Sequence, residues 1–435
     1  MEWYTAGFFL LGMVIALMAL GVPVALSFVI ANLIGSFVFI GGAGLVQVVD
    51  NSTAVLTRFA LAPVPLFILM GALFFHSGFA LRVFDSLDKL FGRLPGRLSY
   101  LTVAGGAMFS TLTGSSMANT AMLGSLMMPE MKRRGYSPRM AMGPILGTGG
   151  LAMIIPPSNL GVLLASIAGL DVGQLLVAGL VPGLILAGLY SVLIFFQVKF
   201  RPSEAPAYDL VQVRAVEKIK ALAVNVAPMS LVVFMVIGFI VLGITTPTEA
   251  AAFGVLGVVI LTGAFRLLTW SVFRKSVEST IQITGMVFFI ILNSAVFSQL
   301  LSYSGASSGL LNWATGFDAP VLVMVLIMFA TLLMLGMFMD PVSMMLISVP
   351  IFFPLAIALG LSPIWFGIFV LLSLEMSGTT PPFGLLLFIM LGVAPKGTTL
   401  GQVAGAAFPF LICDAILLSL MIAFPKLVLF LPDLM

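Results

Sequence analysis

The residues able to do chemistry fall into two clusters, each placed where an apolar run is interrupted. The first is Gly114-Ser115-Ser116-Met117-Ala118-Asn119-Thr120. Ser115, Ser116, Asn119 and Thr120 offer neutral oxygens, which suit a hard monovalent cation. Gly114 permits a tight turn. The apolar segment that starts there aims its N-terminal N–H groups and positive dipole end at the tip, which favours an anion such as a carboxylate. Downstream lies Met153-Ile154-Ile155-Pro156-Pro157-Ser158-Asn159. Proline removes a backbone donor and so frees carbonyls, here around Met153 to Ile155, for a cation to use. The bland alternative is that Ser, Gly and Asn only let helices approach closely.

The second cluster is Met339-Asp340-Pro341-Val342-Ser343, followed by Glu375-Met376-Ser377-Gly378-Thr379-Thr380-Pro381-Pro382. Asp340 and Glu375 are flanked by apolar runs. A charge at the centre of a bilayer costs roughly 2.5–3.5 kcal/mol on insertion scales, so such groups are functional by default. Two roles stand open for Asp340: a cation ligand, or the N-cap of a helix beginning at Pro341. Two also stand open for Glu375: a site carboxylate, or a protonated structural one. Asp414 lies away from both clusters and is expected to pack and hydrogen-bond. His76 is the only histidine, with nothing nearby in sequence to form a metal set or triad. No P-loop or HExxH motif occurs, so the chain is not expected to be an enzyme.

The composition says what must hold these clusters. Of 435 residues, 61% are hydrophobic and only 8% charged, against roughly 25% charged in soluble domains. The chain is an integral membrane protein, and its net charge of +3 gives no reason to invoke nucleic acid. The single cysteine, Cys413, excludes an internal disulfide. The first apolar run has no basic leader, so it is not read as a cleaved signal. Apolar helices are predicted near 5–20, 24–42, 63–84, 139–168, 174–198, 223–243, 248–266, 283–303, 362–391 and 400–424. Segments 97–134 and 319–358 have polar or proline-marked centres, and each half is marginal against the ~20 residues a span needs. Both are predicted to be re-entrant hairpins, with a pair of short spanning helices as the alternative. Pieces at 44–61 and 268–282 read as interfacial and amphipathic.

The two halves repeat. At an offset of 225, Pro129 meets Pro354, Gly135 meets Gly360, Ser137-Pro138 meets Ser362-Pro363, and Pro156-Pro157 meets Pro381-Pro382. Interrupted segments at corresponding places in two halves mark a transport site. The first repeat is 1–198, with hairpin 97–134 and broken helix 139–168. The second is 223–435, with hairpin 319–358 and broken helix 362–391. A polar linker, 199–222, joins them. Lys and Arg cluster at 82–97, 132–139, 199–220 and 266–275, which the positive-inside rule assigns to the cytoplasm. Alternate crossings then put the N-terminus outside and invert the repeats. The fold class is an all-α polytopic membrane protein of two inverted repeats, each with a re-entrant hairpin and a broken helix.

Several motifs resemble a known family: PEMKRRGY (129–136), IIPPS (154–158), TPTEAAAFG (246–254), MDPVSMMLISVPIFFP (339–354), TPPFGLLLFIM (380–390) and GVAP (392–395). They resemble the large membrane subunit of tripartite ATP-independent periplasmic (TRAP) transporters over nearly the whole chain. The resemblance implies an elevator, in which a transport domain carrying both hairpins slides against a scaffold. It implies Na⁺ symport of a small organic acid across the bacterial inner membrane. Two partners are implied: a small four-helix membrane subunit, expected as a separate chain, and a periplasmic substrate-binding protein. By resemblance, one Na⁺ site uses Ser115, Ser116 and Asn119 with carbonyls from Gly150 through Ile154 to Pro156. The other uses the Asp340 tip, with Ser343, together with Thr379 and Thr380. Substrate is then expected between the tips, at Gly114, Ser116, Thr120, Ser158, Asn159, Asp340, Glu375, Ser377 and Gly378. A stand-alone divalent-anion/Na⁺ symporter is the nearest rival, and an ion channel a more distant one. The topology predicts that cysteines introduced at Asp171 and at Tyr208 label from opposite faces of the membrane, and labelling from one face would overturn it.

Overall fold

The computed structural model describes residues 2–57, 59–90, 94–113, 116–156, 158–206, 215–316, 319–382 and 384–435. These residues form helices and turns, with no strand among them. In the first half the helices are α1 (Trp3–Ala19), α2 (Val24–Phe39), α3 (Gly44–Leu56), α4 (Pro63–Ser77), α5 (Phe79–Leu90), α6 (Arg97–Thr113), α7 (Ser116–Arg133), α8 (Pro138–Ile154), α9 (Asn159–Ala168) and α10 (Val172–Phe200). After a short α11 (Ala215–Ala221), the second half supplies α12 (Ala227–Val241), α13 (Pro247–Ala264), α14 (Trp270–Tyr303), α15 (Ala306–Thr315), α16 (Val321–Gly336), α17 (Pro341–Ala358), α18 (Pro363–Thr379), α19 (Leu385–Val393) and α20 (Leu400–Ala423).

The repeat seen in the sequence is a repeat of helix ends. Gly135 and Gly360 both adopt positive φ, 79° and 76°, just past α7 and α17, a conformation that glycine reaches without a Cβ penalty. Ser137 and Ser362 then accept a backbone N–H three residues on, capping α8 and α18, with Pro138 and Pro363 at the first helical position. The prolines that end α8 and α18 also correspond. α8 and α9 meet at a bend of 41°.

Two sequence expectations are corrected. The run at 63–84 is not one helix: Gly78 turns left-handed, with φ 67°, and separates α4 from α5. The amphipathic piece at 268–282 is not separate either. It forms the first half of the 34-residue α14, capped by Thr269 and supported by an Arg274–Glu278 ion pair one turn apart. The linker also shortens, since helix resumes at Ala215.

The helices form two groups. α6–α10 and α16–α20 make a core bundle in which α8 packs on α6, α7, α10, α18 and α20. α1–α4 and α12–α15 make a flanking bundle. The groups meet chiefly where α4 lies against α6 and α9, α14 against α9 and α17, and α15 against α17.

Candidate functional site

Both hairpin tips and both helix breaks open on one cavity of about 230 Å³. Its wall includes the first two residues of four helices: Ser116 and Met117 of α7, Asn159 and Leu160 of α9, Pro341 and Val342 of α17, and Leu385 and Leu386 of α19. A helix N-terminus carries N–H groups without intrahelical partners and roughly half a positive charge. At α17 the Asp340 carboxylate takes up the Val342 and Ser343 N–H groups, which leaves the field to α7, α9 and α19. Ser377 and Gly378 of α18 add polar surface, and Met286 and Val287 of α14 close the side toward the flanking bundle. No Lys, Arg, His, Asp or Glu is among the lining residues. The cavity therefore presents a positive field made of backbone, a setting for a carboxylate. Its volume suits a small acid, below the ~300 Å³ where drug-sized sites begin.

Behind the first tip lies a set of neutral oxygens. Ser116, Asn119 and Thr120 are buried. The Asn119 amide donates to the Thr148 carbonyl of α8 at 2.9 Å. It also reaches the Gly106 carbonyl of α6 at 3.4 Å, tying three helices together. The Ser116 and Thr120 hydroxyls find no hydrogen-bond partner among the described residues. Thr120 fits because Gly149 of α8 has no side chain, since a Cβ there would stand 2.2 Å from the Thr120 hydroxyl. Gly114 and Ser115 lie outside the described residues.

The first break is closed by its own residues. Pro156 and Pro157 have no N–H to offer the carbonyls of Ala152 and Met153 four residues back. Ser158 repairs one of these losses: its hydroxyl donates to the Met153 carbonyl at 2.7 Å and accepts the Gly161 N–H at 3.0 Å. Ser158, expected at the substrate, is thus the cap of α9. The Ile154 carbonyl, expected at the cation, is turned to α10, where a Cβ on Gly179 would come within 2.1 Å of it. Pro156 faces the same side.

At the second tip Asp340 is an N-cap. Its carboxylate accepts the N–H groups of Val342 at 3.0 Å and Ser343 at 3.2 Å, and the Ser343 hydroxyl donates to it as well. The hydroxyls of the second break are all engaged by their own helix. Ser377 donates to the Leu374 carbonyl at 2.7 Å, and Thr379 and Thr380 donate to the Met376 carbonyl at 3.2 and 2.5 Å. Gly384 brings the carbonyls of Gly378 and Thr380 together, as a Cβ there would lie 2.6 and 2.7 Å from them.

Glu375 does not line the cavity, contrary to the sequence expectation. Its carboxyl is buried against Gly150 of α8, where a Cβ would stand only 1.6 Å away. Glu375 is the counterpart of Gly150 at the offset of 225. Equivalent residues touch where a two-fold relation has its axis, so the axis of the repeat runs through this contact. One Glu375 oxygen has no partner among the described residues. Asp414 of α20 accepts a hydrogen bond of 2.5 Å from the Tyr190 hydroxyl of α10, the packing role expected of it.

Sequence reasoning missed three features. The N-termini of α9 and α19 join the tips, a convergence foreshadowed only by the repeated proline pairs. Gly149 and Gly150 make room for Thr120 and Glu375. Ile68, Ile283, Met286 and Val287 come from the flanking bundle as ordinary apolar residues, without any signal.

Comparison with known proteins agrees with this architecture. The family described as "Tripartite ATP-independent periplasmic transporter, DctM component" matches residues 11–427. The C4-dicarboxylate TRAP transporter large permease protein DctM of Rhodobacter capsulatus is 30% identical, over 98% of each chain. The ectoine TRAP transporter large permease protein TeaC of Halomonas elongata is 31% identical, over 97% of each. Among solved structures, the Alcanivorax borkumensis YdaH transporter superposes with a TM-score of 0.65. It covers 89% of this chain and 90% of its own at 15% identity, a likeness of fold.

The axis contact makes a prediction. Gly150→Ala drives a methyl into the Glu375 carboxyl, and overpacking of this kind costs about 1–3 kcal/mol. The purified variant should melt at a lower temperature than wild type, and Gly150→Ala/Glu375→Ala should recover most of the loss. A Gly150→Ala protein that melts like wild type would show that the two helices are not in close contact there.

Proposed function

Because the chain belongs to the DctM component family of tripartite ATP-independent periplasmic transporters, we propose that it is the large permease of a Na⁺-driven importer of a small carboxylate. The observation that carries this reading is the meeting of four helix N-termini in one uncharged cavity. A carboxylate is held there by backbone dipoles, with no basic side chain to release it from. The permeases named for C4-dicarboxylates and ectoine point to the same class of small organic acid.

Na⁺ binds behind the first tip. Two buried hydroxyl oxygens, Ser116 Oγ and Thr120 Oγ1, lack partners among the described residues, and a buried polar group left unpaired costs about 1–3 kcal/mol. A cation recovers that cost, and its charge then helps hold the anion in front of it. Asn119, fixed to α6 and α8, sets the position of this turn of α7. Coupling follows because each ion makes the other's site more favourable.

The core bundle acts as the transport domain and the flanking bundle as the scaffold. The cavity lies on the seam between them, with tips and breaks on one wall and α4 and α14 on the other. A slide of the core along that wall carries the cavity from one face to the other without dismantling it. The small membrane subunit and a periplasmic binding protein complete the importer in the inner membrane, with the N-terminus of this chain on the periplasmic side.

Proteoliposomes holding the three components should take up labelled C4-dicarboxylate only with an inward Na⁺ gradient. Uptake by this chain alone, or uptake indifferent to Na⁺, would reject the proposal. Ser116→Ala and Thr120→Ala each remove one cation ligand, and at about 1–2 kcal/mol per ligand the half-saturating Na⁺ should rise roughly 5- to 30-fold. An unchanged Na⁺ dependence would remove the cation from this turn. Asn is as good an N-cap as Asp, so Asp340→Asn keeps α17 capped and removes only the charge. Expression should stay normal while uptake falls, and wild-type uptake would reduce Asp340 to a cap.

A further inference from the structure

Behind the first break the chain leaves a second cavity, of about 550 Å³, between α12 and the core helices α6 and α10. Val233, Ile237 and Val241 of α12 form one wall, and Ala107 of α6 and Leu180 of α10 belong to the other. Ile155 and Pro156 of the break also line it, and Ser230 is the one lining residue with a polar side chain. Close-packed interiors do not leave such a space empty, because the lining atoms would forfeit their dispersion contacts. Water does not fill it either, since an ordered water needs two to four polar partners.

The groove is continuous with the flank that meets the bilayer. Leu184 on its α10 wall is 59% exposed, and Phe234 of α12 and Leu242 just past its end are each 69% exposed. α10 and the helical run Val216–Val241 that contains α12 are each long and apolar enough to cross a membrane. We propose that an acyl chain of a membrane phospholipid occupies this groove, seated between α12 and the core directly behind the α8–α9 break. The chain keeps α12 from interlocking with α6 and α10. Interdigitated side chains would have to be unpacked at every slide, whereas liquid hydrocarbon yields. The effect on rate rests on the sliding proposed above, while occupancy of the groove does not.

Gly238 lines the groove, and a Cβ there meets only the Phe234 ring of its own helix, at 3.6 Å or beyond. Gly238→Leu therefore fits the helix and fills the groove. The full chain is reconstituted in phosphatidylethanolamine vesicles doped with a phospholipid bearing a mid-chain diazirine, without substrate or Na⁺. Illumination should leave adducts on α12 groove residues and on the peptide containing Ile155. Gly238→Leu should lose those adducts severalfold, keep the wild-type melting temperature, and lower the uptake rate severalfold at unchanged substrate KM. Absence of groove adducts in wild type, or undiminished adducts in Gly238→Leu, would overturn the occupant. Lost adducts with unchanged uptake would overturn its separating role. Because labelling is read without transport, failure of the import reading shows only in the uptake assay.

Discussion

Hydrocarbon offers no hydrogen bonds, so a helix interrupted at bilayer depth must find partners for every backbone group the interruption frees. That constraint governs this molecule. Two proline pairs interrupt α8–α9 and α18–α19, and two tips interrupt the hairpins. The structure gathers all four interruptions around a single cavity instead of leaving them to face lipid in four places. Once gathered, the N-termini of α7, α9 and α19 point a positive field at the cavity with no charged side chain in its lining, while that of α17 is capped by Asp340. The anion site proposed above would thus be a consequence of how the backbone is satisfied.

Bringing the breaks together requires the two halves to cross closely, and glycine makes that possible. Gly149 and Gly150 leave α8 bare where it meets Thr120 and Glu375, and Gly336 of α16 leaves room for the Ser377 hydroxyl. At the axis the pairing is unlike, a glycine in one repeat against a glutamate in the other. The halves can pack tightly there because one of them gives up its side chain.

The parts legible in the sequence are those fixed by local backbone chemistry. Gly135 and Gly360, Ser137-Pro138 and Ser362-Pro363, and the proline pairs each specify a helix end by themselves, and each lies where the repeat put it. The membrane class and the transporter family were legible for the same reason, since composition and short motifs carry them. What escaped depends on packing between distant segments. Charged residues between 270 and 282 suggested a surface piece, yet no glycine or proline occurs there to stop α14. Nothing local says that the Ile154 carbonyl turns toward Gly179, or that Glu375 lies over Gly150 and away from the cavity. The residues that close the cavity from α14 look like any lipid-facing turn.

The two breaks are alike in sequence position but not in chemistry. At the second, Ser377, Thr379, Thr380 and Ser343 spend their hydroxyl protons on nearby carbonyls or on Asp340. At the first, Ser116 and Thr120 are buried without partners among the described residues. A hydroxyl that donates to its own helix still has lone pairs to offer, whereas one with no partner bears the cost of its burial until something binds it. In the importer proposed above, the first tip therefore has the more to gain from a cation, and the side chains of the second already hold their own helices in shape.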